Sequence, residues 1–215
     1  MSGETMQQVE LVVRTIATTA VDNEKYFGDL DAVVGDGDFG YSLARGFEKV
    51  LEGWDDIDRS DIGAFLKKTG MIVTSRIGGT SGPIWGTAFL KAGITAGATD
   101  QLSGEEVVAM LRAAVDGIKL RGQSDVGDKT LLDVLVPMTD RIEQELQAGA
   151  SSAQVVTAAA ETARQAAEAT CDMVAKRGRA SYTGERSKGS VDAGAMGVAV
   201  IVESISRAWP TGGAS

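Results

Sequence analysis

A chain of 215 residues with 43% hydrophobic and 24% charged residues has the composition of a soluble globular protein and enough length for a sizeable core. Its net charge of −9 argues against a nucleic-acid or anionic-membrane partner, because phosphate backbones and headgroups would be repelled. It contains no histidine, which excludes a Ser-His-Asp or Cys-His triad, a His-ligated metal and a phosphohistidine relay on this chain.

The single cysteine, Cys171, falls in a helical stretch and reads as a small core residue. No charged-then-apolar leader opens the sequence. The longest apolar run, near 197–202, is far too short to span a bilayer, so a cytoplasmic location is expected.

Residues 4–27 read as a first helix, with Val9, Val12, Val13, Ile16 and Ala20 at three-to-four spacing. The stretch 28–40 follows as a loop carrying Asp29, Asp31, Asp36 and Asp38, with Gly35, Gly37 and Gly40 interleaved. Glycines let such a loop fold its carboxylates together, and crowded carboxylates are stabilised by a cation. With only hard oxygen donors nearby, the metal expected is Mg²⁺, Mn²⁺ or Ca²⁺ rather than zinc or copper.

A second helix is predicted over 41–51, and a polar link at 54–59 leads to a third, with Ser60 as its N-cap. Gly78-Gly79-Thr80-Ser81-Gly82 then precedes Pro83, which suits the first turn of a fourth helix ending near 96. Ser103 and Glu106 form a capping box for a fifth helix ending near 119. A polar loop covers 121–130. The sixth helix, 131–146, contains Pro137, where a kink or early break is expected. A seventh runs over 152–176, a Gly/Ser/Arg-rich loop over 178–191, and an eighth over 193–208.

No alternating strand pattern appears. The sequence therefore predicts an all-α, eight-helix bundle, with 1–215 as one domain. In an up-down arrangement the loops at 28–40, 76–82, 120–130 and 177–192 all emerge at one end. Those are the loops rich in Gly, Asp, Ser and Arg. Carboxylates for a cation, a glycine-hydroxyl turn opening a helix, and Arg179 and Arg186 together describe a Mg-polyphosphate site suited to phosphoryl transfer.

The motifs also match a family. Leu30-Asp31-Ala32-Val33-Val34-Gly35-Asp36-Gly37-Asp38, Gly78-Gly79-Thr80-Ser81-Gly82-Pro83, Gly127-Asp128-Lys129-Thr130, the stretch from Gly178 to Ser187, and Val191-Asp192-Ala193-Gly194-Ala195 lie in its order along nearly the whole chain. On these residues the chain resembles the nucleotide-binding (L) subunit of dihydroxyacetone kinase. The resemblance implies a barrel-like eight-helix fold with the nucleotide at one end, and two Mg²⁺ ions held by Asp31, Asp36 and Asp38. It implies contacts to ADP or ATP from Phe39, Gly40, Ser42, Gly79, Thr80, Ser81, Gly122, Leu131, Arg179, Asp192 and Gly194. The family usually has His where this chain has Phe39, so a polar phosphate neighbour becomes apolar here.

The family's ketose is held by a histidine on a separate K subunit or domain, which this chain lacks. The implied activity is therefore that of a kinase subunit, presenting nucleotide to a partner that holds dihydroxyacetone or another short-chain ketose. The nucleotide is either free ATP or a bound ADP recharged by a phosphotransferase-system phosphocarrier. No residue here reads as a general base. Two rivals differ in class: a nucleotide-sensing regulatory module, and a haloacid-dehalogenase-like phosphatase mimicked by Val33-Val34-Gly35-Asp36-Gly37-Asp38. The second requires a parallel sheet.

Overall fold

The computed structural model describes residues 2–210 and is all-α. Among the described residues there are nine α-helices and no strand, which removes the phosphatase reading. In order they are α1 (Ser2–Asp22), α2 (Glu24–Asp31), α3 (Phe39–Glu52), α4 (Ile62–Arg76), α5 (Ser81–Ala96), α6 (Gly104–Gly122), α7 (Leu132–Gln147), α8 (Ser152–Ala169) and α9 (Ala193–Ala208).

Eight predicted helices become nine because the first divides at Asn23. The Asn23 side-chain amide donates to the Thr19 carbonyl at 2.9 Å, in competition with the helical ladder. Two further boundaries differ. Asp61, not Ser60, caps α4, its carboxylate accepting from the Ala64 N–H at 2.6 Å. The helix expected to reach 176 stops at Ala169. There Thr170 is fully buried, donates to the Ala167 carbonyl and accepts the Asp192 N–H at 2.9 Å, anchoring the start of the next segment. The break expected at Pro137 does not occur, and α7 runs through it to Gln147. The Ser103–Glu106 capping box forms as predicted.

Cross-helix contacts give the topology. Gly70 faces Gly86 and Gly63 faces Gly93, an antiparallel register between α4 and α5. A Cβ on Gly70 would stand 2.8 Å from the Gly86 carbonyl, and one on Gly93 would stand 2.8 Å from that of Gly63, so these two helices meet backbone to backbone. Arg112 of α6 pairs with Asp140 and Glu143 of α7. Arg164 of α8 grips Glu203 of α9 through Nε at 2.6 Å and Nη2 at 2.7 Å.

From α2 onward each helix packs on its successor, α1 packs on α3, and α9 returns to lie beside α1, closing a barrel. Its wall is lined by apolar side chains: Val13, Leu43, Phe47, Phe65, Val134 and Ala199 are all buried. The ring surrounds an apolar pocket of about 550 Å³ that is partly open to solvent, bounded by residues such as Val12, Ile16, Phe89, Met110, Leu135 and Val198. No described helix is long and apolar enough to cross a membrane.

Candidate functional site

The acidic stretch makes the turn between α2 and α3. Asp31 is the last residue of α2 rather than a loop residue, and Asp38 immediately precedes α3. The turn doubles back on Asp31, whose carbonyl accepts from the Val34 N–H at 3.2 Å and the Gly35 N–H at 2.6 Å. It closes only because Gly35 lacks a side chain: a Cβ there would overlap Asp31 Oδ1. As a result, one carboxylate oxygen each from Asp31, Asp36 and Asp38 lies within 4.8 Å of the other two. Three anionic oxygens this close repel, and as hard donors they suit Mg²⁺. Asp31 is half-buried and the other two are exposed, so the cluster opens to solvent.

Arg179 is brought to this cluster from the far part of the sequence. Its Nη1 forms an ion pair with Asp36 and donates to Asp38 at 3.1 Å. The segment that carries it comprises 3-10 turns at Arg179–Ser187, broken at Gly184, whose φ is +58°. Arg186, expected beside Arg179, is exposed; the segment's ion pairs are made by Lys176, Arg177 and Arg179.

Apart from α9, which Asp192 caps, side-chain capping differs between the two ends of the barrel. At the far end, α4, α6 and α8 begin under side-chain caps from Asp61, Ser103 and Ser151. At the acidic end, α3, α5 and α7 begin at Asp38, Thr80 and Leu131 with no side-chain cap. Thr80 and Asp38 are residue types that cap readily, so their abstention leaves first-turn N–H groups available. In α7 the Thr130 hydroxyl accepts the Leu132 N–H at 3.2 Å and the next three N–H groups bond the Thr130 and Leu131 carbonyls. The N-termini of α3 and α5 are then the ones with donors to spare at this end, and they favour an anion there. Gly78, Gly79 and Thr80 are exposed, and a Cβ on Gly78 or Gly79 would meet open space.

The remaining expected residues fall around this end. Gly122 ends α6 against Ile84 of α5, where a Cβ would stand 3.1 Å from Ile84 Cδ1. Leu131 lies beside Gly194, and the Asp192 carboxylate caps α9 through the Ala195 N–H at 2.8 Å. Burial raises the Asp192 carboxyl from its ordinary value to about 6; the Ala195 N–H and the nearby Lys129 charge oppose that rise. Ser42 is half-buried in the first turn of α3. Gly40 is buried where a Cβ would overlap the Glu24 carbonyl, so it sets the close approach of α3 to α2.

Phe39 requires a correction. The residue is 9% exposed and its ring lies in the core beside Phe27, with centroids 6.1 Å apart, rather than at the mouth as a phosphate neighbour. Only its backbone faces the cluster, the N–H donating to the Asp31 carboxylate at 3.4 Å. The first position of α3 turns this side chain inward.

Three residues of the 121–133 region carry contacts that sequence reasoning missed. Asp133 is 5% exposed and accepts from the Gly127 N–H at 2.5 Å and the Thr130 N–H at 2.7 Å, fixing the loop before α7. Its signal is Thr130-Leu131-Leu132-Asp133, a hydroxyl residue three positions before a carboxylate. Asp128 accepts the Asp125 N–H and pairs with Arg177 at 3.2 Å and Lys176 at 3.6 Å; these partners hold its carboxyl below the usual range, the backbone N–H most strongly. Lys129 is buried, against the expectation of a polar loop.

Together these contacts join all four loops. Arg179 ties the last to the first, Asp128 ties the last to the third, and Gly122 sets the third against the start of α5.

Comparison with known proteins agrees with this geometry. The sequence pattern of the DAK2 domain matches residues 33–207. The chain is 41% identical over 184 residues to an Escherichia coli protein named PEP-dependent dihydroxyacetone kinase, ADP-binding subunit DhaL, covering 86% of this chain and 88% of that one. It is 35% identical over 206 residues to L-erythrulose 1-kinase of Mycolicibacterium smegmatis, covering 95% of this chain but 36% of the relative. In structure it resembles the dihydroxyacetone kinase of C. freundii in complex with AMP-PNP and Mg²⁺, with a TM-score of 0.73 and 25% identity, over 93% of this chain and 33% of that one. The chain thus spans nearly all of the subunit-type relative and about a third of the longer ones.

Proposed function

The chain belongs to the DAK2 domain family, and from that premise we propose that it is the nucleotide-carrying subunit of a ketose kinase of the dihydroxyacetone type. The observation that carries the reading is the meeting of the Asp31–Asp36–Asp38 cluster and Arg179 at the barrel end where α3 and α5 start uncapped. A Mg-nucleotide needs both features: carboxylates for the cations and donors for the phosphates.

In this reading Asp31, Asp36 and Asp38 hold Mg²⁺, two ions in all, which neutralises charge on the phosphate oxygens. The N–H groups at Gly79, Thr80 and Ser81, with the backbone at Phe39 and Gly40 and the Ser42 hydroxyl, receive the phosphates. Arg179 leaves its aspartates for a phosphate oxygen. Gly122, Leu131, Asp192 and Gly194 line the rest of the nucleotide pocket, Gly122 and Gly194 leaving room for it. The γ-phosphoryl passes to a hydroxyl of a short-chain ketose held on a separate K-type subunit, which takes up the hydroxyl proton. This chain supplies position and charge neutralisation.

The names of the E. coli and Listeria innocua relatives, both PEP-dependent ADP-binding subunits, favour a retained ADP recharged by a phosphocarrier over exchange with free ATP. Calorimetric titration with Mg-ADP tests binding, and a coupled assay with dihydroxyacetone and a K-type subunit tests transfer. Absence of Mg-ADP binding overturns the reading, as does phosphorylation of dihydroxyacetone by the chain alone. Binding without transfer points to the regulatory module instead.

A further inference from the structure

We infer that Lys129 is a positioning residue: its buried ammonium, caged by backbone carbonyls, fixes the segment that brings Arg179 over the acidic cluster. The inference rests on the proposed function for the role of Arg179, and on contacts alone for the role of Lys129.

Lys129 is 2% exposed and lies in the core of the loop cluster. An ammonium has three N–H groups, and here all three are directed to main-chain oxygens. They reach the carbonyls of Ser187, of Ser190 at 2.7 Å and of Met173 at 3.2 Å. These acceptors lie before and after Arg179, so a single cation gathers both ends of the excursion that carries it. Such a cage of carbonyl oxygens is the arrangement proteins use for alkali cations, and here the charge is supplied by a side chain. Among the described residues no carboxylate contacts the Nζ within hydrogen-bonding distance; burial lowers the Lys129 pKa, while Asp192 compensates the charge from farther away.

The segment is built inward on the same point. The Ala175 N–H donates to Ser187 Oγ at 2.9 Å, and the Gly189 N–H donates to the Cys171 carbonyl at 2.8 Å. The neighbouring Asp128 pairs with Lys176 and Arg177 from outside.

A plain turn residue would not look like this. Lys129 has φ +61°, a left-handed conformation in which glycine is the relaxed choice. A long cationic side chain at a strained, buried position serves through its ammonium, not through the turn. That difference is testable, because the two roles predict opposite results for glycine.

The test uses the full chain as wild type, Lys129→Gly, Lys129→Met, and Lys129→Ala with and without n-propylammonium. Two readouts are compared: hydrogen–deuterium exchange across the chain without ligand, and the Kd for Mg-ADP. We expect exchange within 171–190 to accelerate by about tenfold or more in Lys129→Gly and Lys129→Met, with α4 and α5 unchanged. The Kd for Mg-ADP should rise by about tenfold in both. n-Propylammonium should restore part of the protection in Lys129→Ala, and its presence during refolding covers the case in which Lys129→Met does not fold. Wild-type behaviour of Lys129→Gly, a uniform acceleration over all helices, or no response to the amine overturns the inference. If wild type fails to bind Mg-ADP, the proposed function falls, and the ligand-free exchange pattern still decides the role of Lys129.

Discussion

The rings of Phe39 and Phe27 lie 6.1 Å apart in the core, while the Phe39 N–H donates to the Asp31 carboxylate. One residue therefore joins the barrel wall to the acidic cluster, its side chain facing one way and its backbone the other. Phe39→Ala should cost about 3–5 kcal/mol of stability, the usual range for emptying a buried aromatic site. Urea denaturation measures this. A loss below about 1 kcal/mol would return the ring to the surface.

Asp36→Asn removes one anionic oxygen from the cluster without touching the core. Its ion pair with Arg179 is about half exposed, so the fold should lose less than about 1 kcal/mol. Affinity for Mg-ADP should fall by about a hundredfold, close to 3 kcal/mol, since a neutral amide cannot replace a carboxylate on a hard cation. Calorimetry on both proteins reads the difference, and an unchanged Kd rules out Asp36 as a ligand.

A Mg-nucleotide shared by four loops should stabilise them together. At a hundred times its Kd, a ligand that binds only the native state contributes about 2.7 kcal/mol. For a chain of this size that raises the Tm by about 5–10 °C. EDTA should abolish the rise, because phosphates and carboxylates would then face one another without a counter-ion. A shift that survives EDTA would show that the nucleotide binds away from the aspartates.

Asp192 gives a pH signature. Its folded-state pKa of about 6 lies above the ordinary carboxylate value, so between roughly pH 4 and 6 the native state holds the proton more firmly than the unfolded state. The contribution of this group to stability is present at low pH and is lost as pH rises through 6. Asp192→Asn can keep the bond from the Ala195 N–H and removes the titration. Relative to wild type it should gain about 1–3 kcal/mol between pH 4 and pH 7, an upper range set by the shift. Melting curves across that interval test it, and a constant difference would place the elevated pKa elsewhere.

Periodicity is enough to locate the helices. The apolar stripe of α1, the Ser103–Glu106 box and the absence of alternation all read directly. The alternation of loop composition also reads directly, because the up-down chain sends every second connection to the same end. What periodicity cannot show is direction within a turn. Phe39 and Asp38 are adjacent, yet one faces the core and the other the solvent, and that depends on where α3 starts. Lys129 looks solvated in the sequence for a related reason: its carbonyl partners lie some 44 to 61 positions away and carry no side-chain signal. Asn23 divides a helix through a local hydrogen bond that competes with propensity.

The seam between α9 and α1 also affects how the molecule is made. Most of its wall assembles between neighbours in sequence, which is fast and tolerant of order. The acidic turn and Arg179 do not: they come from opposite parts of the chain and meet only when the last helix closes against the first. An incompletely closed barrel would therefore have most of its helices and no assembled binding site. Ligand capture would then report ring closure rather than helix formation.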